Sequence, residues 1–164
     1  RREEQETISE KSIKDLKILL VEDNELNMEI AEFVIQNEGA SVTKAWNGQE
    51  AVEIFGKSEP GEFDVILMDI MMPVMNGYGA TKMIRSLERE DAKTIPIIAM
   101  TANAFEEDKR DAIAAGMNGH IAKPIQVDKL LSILSEVIRR QSLYRLKNGT
   151  MGKTDDAFTD NVIY

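Results

Sequence analysis

Asp69 is the acidic residue whose sequence surroundings best suit chemistry. It ends the apolar run Phe63 to Met68, and the structure-breaking residues Pro73 and Asn76-Gly77 follow it. A strand that ends in this way presents a reactive acid. An isolated Asp at a strand end is more often a turn or cap residue, so the interpretation depends on what else reaches the same place.

Three further apolar runs end in residues that could do chemistry. Each polar residue on its own has an ordinary explanation as a cap, a turn or a solvated residue. Four run ends of this kind in one chain are hard to explain by chance. Besides Asp69, the residues concerned are Glu22-Asp23, Thr101-Ala102 and Lys123-Pro124.

The charges of this set indicate its chemistry. Two carboxylates about 4 Å apart repel by about 4 kcal/mol at an effective dielectric of about 20, so a positive group must lie among them. The chain has no Cys and one His, so an all-oxygen set favours a hard cation. Few protein ligands, with room for waters and a phosphate oxygen, favour Mg²⁺ over Ca²⁺. Mg²⁺ and Lys123 together would make the pocket attractive to a phosphoryl group.

Strands and helices alternate in a way that brings these residues together. Five strands alternating with five helices predict an α/β fold, a doubly wound parallel sheet with helices on both faces. The binding crevice of such a sheet lies outside the carboxyl ends of its strands. The predicted strands are Lys17 to Val21, Ala40 to Ala45, Phe63 to Met68, Ile95 to Met100 and Gly119 to Ala122.

The helices are predicted from apolar residues that repeat with the helical period. In the first helix, Leu26, Ile30, Phe33 and Val34 form the predicted apolar face. The second helix contains Ala51 to Phe55. The remaining predicted helices are Gly77 to Glu90, Glu106 to Ala115 and a last helix from about Leu130 to Arg140.

The core-forming pattern covers the middle of the chain. Residues 1–14 are polar and charge-dense and are predicted to be a linker or the end of a preceding helix. Residues 15–140 form the predicted domain, and residues 141–164 a flexible tail. Residue 1 is Arg rather than Met, so we expect a piece of a longer polypeptide.

Composition excludes several classes of function. The net charge of −9 argues against direct binding of nucleic acid or of an anionic membrane. No apolar run is long enough to span a bilayer, and no signal-peptide pattern is visible. The absence of Cys suits a reducing compartment. We therefore expect a cytoplasmic domain, whose parent protein could still be anchored in a membrane.

Four motifs resemble those of the receiver domain of two-component response regulators, the chemotaxis-regulator-like fold. They are VEDN at 21–24, MDIMMPVMNG at 68–77, MTANA at 100–104 and HIAKPI at 120–125. The resemblance covers residues 15–140 and is greatest to receivers of hybrid sensor histidine kinases. It implies a flavodoxin-like sheet of strand order 2-1-3-4-5.

The resemblance also implies roles for the acids. Asp69 would be the phosphoacceptor, which attacks the phosphorus of a phosphohistidine and becomes an acyl phosphate. Asp23, Asp69 and the backbone carbonyl of Met71 would bind Mg²⁺ directly, and Glu22 would act through water. The domain would thus promote its own phosphorylation and slow dephosphorylation.

Further roles implied by the resemblance concern the phosphoryl oxygens. Lys123 would pair first with Asp69 and then with these oxygens. The Thr101 hydroxyl and the Ala102 amide would hold another oxygen. Pro124 would set the geometry of the loop after Lys123, with a cis peptide bond as one option.

Four positions are predicted to govern signalling. Phosphorylation would draw Thr101 toward Asp69 and leave a space for the side chain of His120, at a position where many family members have Tyr or Phe. A packed or exposed imidazole with no signalling role is the alternative for His120. Met71 and Asn103 would flank the path of the attacking water, and an apolar Met71 predicts slow self-dephosphorylation.

Other functions fit the residues less well. An aspartyl phosphatase or mutase would need a second acid at position 71, which is Met. A flavodoxin-like cofactor binder would need a phosphate loop where Glu22-Asp23 stands. A stand-alone single-domain regulator and a receiver-like interaction module that is never phosphorylated remain open.

Protein partners are expected instead of nucleic acid. The resemblance implies a histidine kinase or a histidine phosphotransfer domain as partner. It also implies an output surface formed by the helix beginning near Glu106, the fifth strand and the last helix. A weak homodimer through the face of the last helix is a further prediction.

Overall fold

A five-stranded parallel sheet forms the centre of the computed structural model, which describes residues 13–102 and 106–151. The strand order is β2-β1-β3-β4-β5, as expected for a doubly wound sheet. The strands are β1 (Lys17–Val21), β2 (Ser41–Ala45), β3 (Val65–Asp69), β4 (Ile97–Thr101) and β5 (Gly119–Ala122).

Helices cover both faces of the sheet. The described residues form six helices: α1 (Glu25–Asn37), α2 (Gly48–Lys57), α3 (Gly77–Arg85), α4 (Glu90–Thr94), α5 (Glu106–Ala115) and α6 (Val127–Met151). Alternate residues of β3 and β4 enter opposite core clusters, so both strands are completely buried and are apolar up to their last residues, Asp69 and Thr101. Burying one Leu or Ile side chain in this way contributes about 1.5–3 kcal/mol.

Asparagine side chains begin the three helices that follow β1, β2 and β3. Asn24 accepts a hydrogen bond from the Asn27 amide, and Asn76 accepts one from the Gly79 amide. Asn47 caps α2 in the same way. Such caps stabilise a helix by about 1 kcal/mol and fix where the chain leaves the strand. These caps therefore fix the positions of the loops at the carboxyl edge of the sheet.

The apolar face predicted for α1 is wrong. Leu26, Ile30 and Phe33 are exposed, with 70% of Phe33 accessible, and Val34 is only partly buried. The residues that pack against the sheet are Met28, Ala31 and Ile35. Both sets have helical spacing, so periodicity could not decide between them.

The five predicted helices are present, but the third is shorter than predicted. Helix α3 ends at Arg85 instead of Glu90, and α4 is an additional short helix. Arg89 causes the break: its backbone is extended and its guanidinium donates to the Phe55 and Ser58 carbonyls, both at 3.0 Å. The same guanidinium binds Asp91 in the first turn of α4.

Helix α6 continues past its predicted end at Arg140. It reaches Met151, and just past Arg140 the buried Gln141 donates from its side-chain nitrogen to the Thr94 carbonyl at 2.6 Å. At the other end, Ile13 is already part of the core. The domain boundaries at residues 14 and 140 stay predictions, and residues 1–12 and 152–164 lie outside the described part.

No helix within residues 13–102 and 106–151 has the length and apolar character needed to cross a membrane.

Candidate functional site

Three carboxylates meet at the carboxyl edge of the sheet. One oxygen each from Glu22, Asp23 and Asp69 lies within 4.8 Å of the others. Glu22 and Asp69 are buried, whereas Asp23 is exposed and opens the cluster to solvent. The amino group of Lys123 lies 3.2 Å from Asp69 Oδ1 and 3.4 Å from Glu22 Oε1. The structure therefore brings together the acids and the lysine that the sequence singled out.

Strand pairing places these residues. Val21 pairs with Met68, so Glu22 and Asp69 leave adjacent strands at the same level. The Glu22 amide donates to the Ala45 carbonyl at 3.1 Å, and Glu22 Oε2 accepts from the Asn24 amide at 3.1 Å. Backbone groups therefore hold Glu22 at its amide N–H and at its carboxylate.

The β4 and β5 ends complete the edge. Asp69 pairs with Met100, and the Lys123 amide donates to the Thr101 carbonyl at 2.8 Å. Thr101 is buried, and its hydroxyl has no hydrogen-bond partner within the described residues. A buried hydroxyl without a partner is costly unless a ligand supplies one, so Thr101 is suited to bind an incoming oxygen. Ala102 is exposed.

Crowding of negative charge changes the proton affinity of the site. Burial, followed by repulsion from Glu22, raises the pKa of Asp69 to about 7, although Lys123 opposes the rise. Burial disfavours the charged form of Lys123, but attraction to Asp69 and Glu22 outweighs it and raises the pKa of Lys123. The pocket thus carries more negative charge than one lysine neutralises.

The donor set fits a hard divalent cation. All side-chain donors in the cluster are carboxylate oxygens, which Mg²⁺ prefers. Burial is the first cause of the raised pKa of Asp69, and repulsion from Glu22, which a dication would relieve, is the second. Exposed Asp23 leaves one side of the cluster open for waters.

The remaining predicted positions are Met71, His120, Pro124 and Asn103. Met71 is 81% exposed on the loop after β3. His120 is partly buried on β5 opposite Ala99, and burial, with a smaller contribution from Lys109, lowers the pKa of His120. The Lys123-Pro124 bond is cis. Asn103 lies outside the described residues.

Residues of α1 adjoin the site, and sequence reasoning missed them. Asn27 and Ile30 line the same small cavity as Glu22 and Lys123. The apolar spacing of α1 assigned Ile30 to the core. The available signal was that α1 begins within two residues of Asp23, so its first turns must lie beside the acids.

A doubly wound parallel sheet with an acidic cluster and a lysine at its carboxyl edge has its candidate site where sheets of this class bind ligands. Residues 18–135 match the family described as "Response regulator receiver domain". The chain belongs to this family.

Curated relatives are much longer than this chain. The chain is similar to Two-component system protein A of Emericella nidulans, with 42% identity over 118 residues, 71% of this chain and 17% of that protein. It is also similar to Probable histidine kinase 1 of Oryza sativa, with 34% identity over 154 residues, 76% of this chain and 16% of that protein. The chain therefore spans less than a fifth of either relative.

Solved structures match over nearly their whole length. The receiver domain of sensor histidine kinase PA1611 from Pseudomonas aeruginosa, which has a magnesium ion in its active-site cleft, is 39% identical with a TM-score of 0.68, covering 76% of this chain and 98% of that one. The chemotaxis protein CheY4 of Vibrio cholerae is 32% identical with a TM-score of 0.67, covering 73% and 96%.

Proposed function

We propose that this domain accepts a phosphoryl group from a phosphohistidine onto Asp69 and thereby changes the binding of a protein partner. The observation that carries this proposal is the buried Asp69 carboxylate, held 3.2 Å from Lys123 Nζ beside two further acids. The histidine belongs to a histidine kinase or to a histidine phosphotransfer domain. The relay takes place in the cytoplasm.

Magnesium would be held by a few of these groups. Asp23, Asp69 and the Met71 carbonyl would bind it directly, and Glu22 would act through water. When bound, Mg²⁺ supplies positive charge that offsets the acids and the phosphoryl oxygens. The magnesium ion in the similar PA1611 receiver supports this assignment.

The chain's own residues carry the transfer. A carboxylate oxygen of Asp69 attacks the phosphorus, an O–P bond forms, the N–P bond of the donor breaks, and the imidazole nitrogen keeps the electron pair. Lys123 exchanges its contact with Asp69 for the phosphoryl oxygens. The Thr101 hydroxyl and the Ala102 amide donate to another oxygen, so positioning and charge neutralisation supply the catalysis.

Switching follows from the movement of Thr101. Phosphorylation adds a charge of about −1.5 to −2 and draws the unpartnered hydroxyl toward Asp69. His120, which pairs with Ala99 two residues before Thr101 on the adjacent strand β4, moves into the space released. The surface of α5, β5 and α6 then changes its affinity for a partner, or for a second copy through α6.

The parent protein is best explained as a hybrid histidine kinase. Two observations support this origin over a stand-alone regulator. The chain covers only a small share of each curated relative, and many of these relatives are named as histidine kinases. The residues that precede Arg1 in the native gene test it. A kinase core there supports a hybrid protein, and a start codon there contradicts it.

Fluoroberyllate, a phosphoryl mimic, tests the function itself. We expect Mg²⁺-dependent NMR shifts at amides near Asp69 and on β5, and we expect Asp69→Asn to abolish them. Transfer of labelled phosphate from a phosphorylated histidine phosphotransfer domain should show the same dependence on Asp69. An interaction module that is never phosphorylated would show neither response, and that result would refute the proposal.

A further inference from the structure

The β3–α3 loop, residues 70–76, carries Met71 and accepts a hydrogen bond from the first residue of α2. Within the loop the Met75 amide donates to the Pro73 carbonyl at 2.7 Å, and Gly77 closes it by donating to the Ile70 carbonyl at 2.9 Å. The Met75 carbonyl accepts from the Gly48 amide at 3.2 Å. Gly48 is the first residue of α2, so that helix holds the returning half of the loop.

Only glycine permits this contact. A Cβ atom on Gly48 would lie 2.3 Å from the Met75 carbonyl oxygen, 3.0 Å from its carbon and 3.1 Å from the Ala80 Cβ. Backbone atoms cannot yield as the end of a flexible side chain can. Moving helix α2 away from the loop would disrupt the core packing of Ala51 and Phe55, which are buried on that helix.

Val74 in the β3–α3 loop has a strained backbone conformation. Val74 has a φ of 70°, which is unfavourable for a β-branched residue, and its side chain is 77% exposed. No packing of that side chain compensates for the strain. The contact between Gly48 and Met75 is a restraint outside the loop that opposes its relaxation.

We propose that Gly48 is a positioning residue for the phosphorylation site. Its contact with Met75 keeps the β3–α3 loop, and with it the Met71 carbonyl, in the arrangement that receives the metal ion. This inference rests on the proposed function, because only that function gives the Met71 carbonyl a ligand role. Gly48 itself touches none of the reacting atoms.

Gly48→Ala tests the proposal, with Gly56→Ala on the same helix as its matched control. A Cβ on Gly56 would meet nothing within 4 Å. We expect Gly48→Ala to weaken Mg²⁺ binding by about tenfold, as changes behind metal ligands commonly do. We also expect shifted amide resonances at residues 71–76 in the metal-free protein. Gly56→Ala should leave both readouts unchanged.

A milder variant keeps the test decisive if Gly48→Ala does not fold. Asn47→Ala removes the 2.8 Å hydrogen bond that caps α2 without adding atoms at the loop, and we expect it to weaken Mg²⁺ binding and shift the same amides to a smaller extent. Mg²⁺ affinity within twofold of wild type in every folded variant would overturn the proposal.

The two proposals fail in different ways. If wild type binds no Mg²⁺ and ignores fluoroberyllate, the proposed function fails. If wild type responds but the variants at positions 47 and 48 bind Mg²⁺ as wild type does, only the role of Gly48 fails.

Discussion

Asp69 binds protons more tightly in the folded protein than in the unfolded chain. Its pKa rises from 3.8 to about 7, chiefly through burial, so the folded state holds the extra proton across this range. Stability therefore falls as the pH rises through the same range, the opposite of the usual behaviour of a paired carboxylate.

Asp69→Asn should stabilise the metal-free protein at neutral pH. We expect a gain in the free energy of unfolding on the order of 1–2 kcal/mol at pH 8 and little gain at pH 4.5, measured by thermal melts. Asp111→Asn, which alters an exposed acid on α5, is the control and should change neither value. An equal effect of Asp69→Asn at both pH values would contradict the assigned cause.

Met71 should prolong the life of the acyl phosphate. Its apolar side chain offers an attacking water no hydrogen bond, so Met71→Glu is expected to shorten the phosphoryl half-life several-fold by orienting that water. The measurement is the decay of labelled phosphoprotein. Met83→Glu, at an exposed methionine on α3, is the control for added charge and should leave the half-life unchanged.

Most of the site could be predicted from individual residues. Glu22, Asp23, Asp69, Thr101 and Lys123 stand at the ends of apolar runs, and parallel topology sends such ends to one edge. What the sequence could not supply were the distances between Lys123 Nζ and the two acids, or the pKa of Asp69. Those depend on burial and on packing between strands far apart in the chain.

At the scale of elements, α1 differs most from expectation and has a functional consequence. Leu26, Ile30 and Phe33 form an exposed apolar stripe, and Ile30 lines the cavity beside Lys123. Exposed Glu25 and Glu29 flank the stripe. A phosphodonor domain with an apolar helix flanked by basic residues would match this surface while reaching Asp69.

Phe33→Ser should therefore slow phosphorylation by a histidine phosphotransfer domain and not by acetyl phosphate, a small donor that needs no docking surface. We expect roughly a tenfold fall in the rate with the protein donor, as for a central apolar anchor. Leu143→Ser is the control, because Leu143 is also exposed but lies on α6, far from the phosphorylation site. Its neighbour Gln141 donates to the Thr94 carbonyl, which lies before β4 at the amino edge of the sheet. Equal slowing with both donors would contradict a docking role.

Element boundaries were the least predictable part of the fold. Helix α3 stops early because Arg89 reaches carbonyl groups of α2 and its following turn, and no local pattern shows such a long-range contact. Helix α6 runs on past Arg140, where a polar residue, Gln141, occupies a buried position. In each case a tertiary hydrogen bond outweighed local sequence preference.

At the scale of the whole molecule, metal binding should be coupled to folding. A ligand that binds only the folded state stabilises it by about 2.7 kcal/mol at a concentration about 100 times its Kd. We expect Mg²⁺ to raise the melting temperature more at pH 8 than at pH 5, because protons compete for Asp69. Asp23→Asn should reduce the effect, and an equal rise at both pH values would contradict it.

The length of α6 gives the domain a mechanical property. Its 25 residues extend about 37 Å, and the first half packs against the sheet next to β5, while the last turns continue beyond Gln141. The ten residues after Gln141 span about 15 Å, so a tilt of about 5° of the packed part would move the far end of this segment by about 1.3 Å relative to Gln141. If the rearrangement proposed for Thr101 and His120 tilts α6, the end of the helix near Met151 moves further than its packed part.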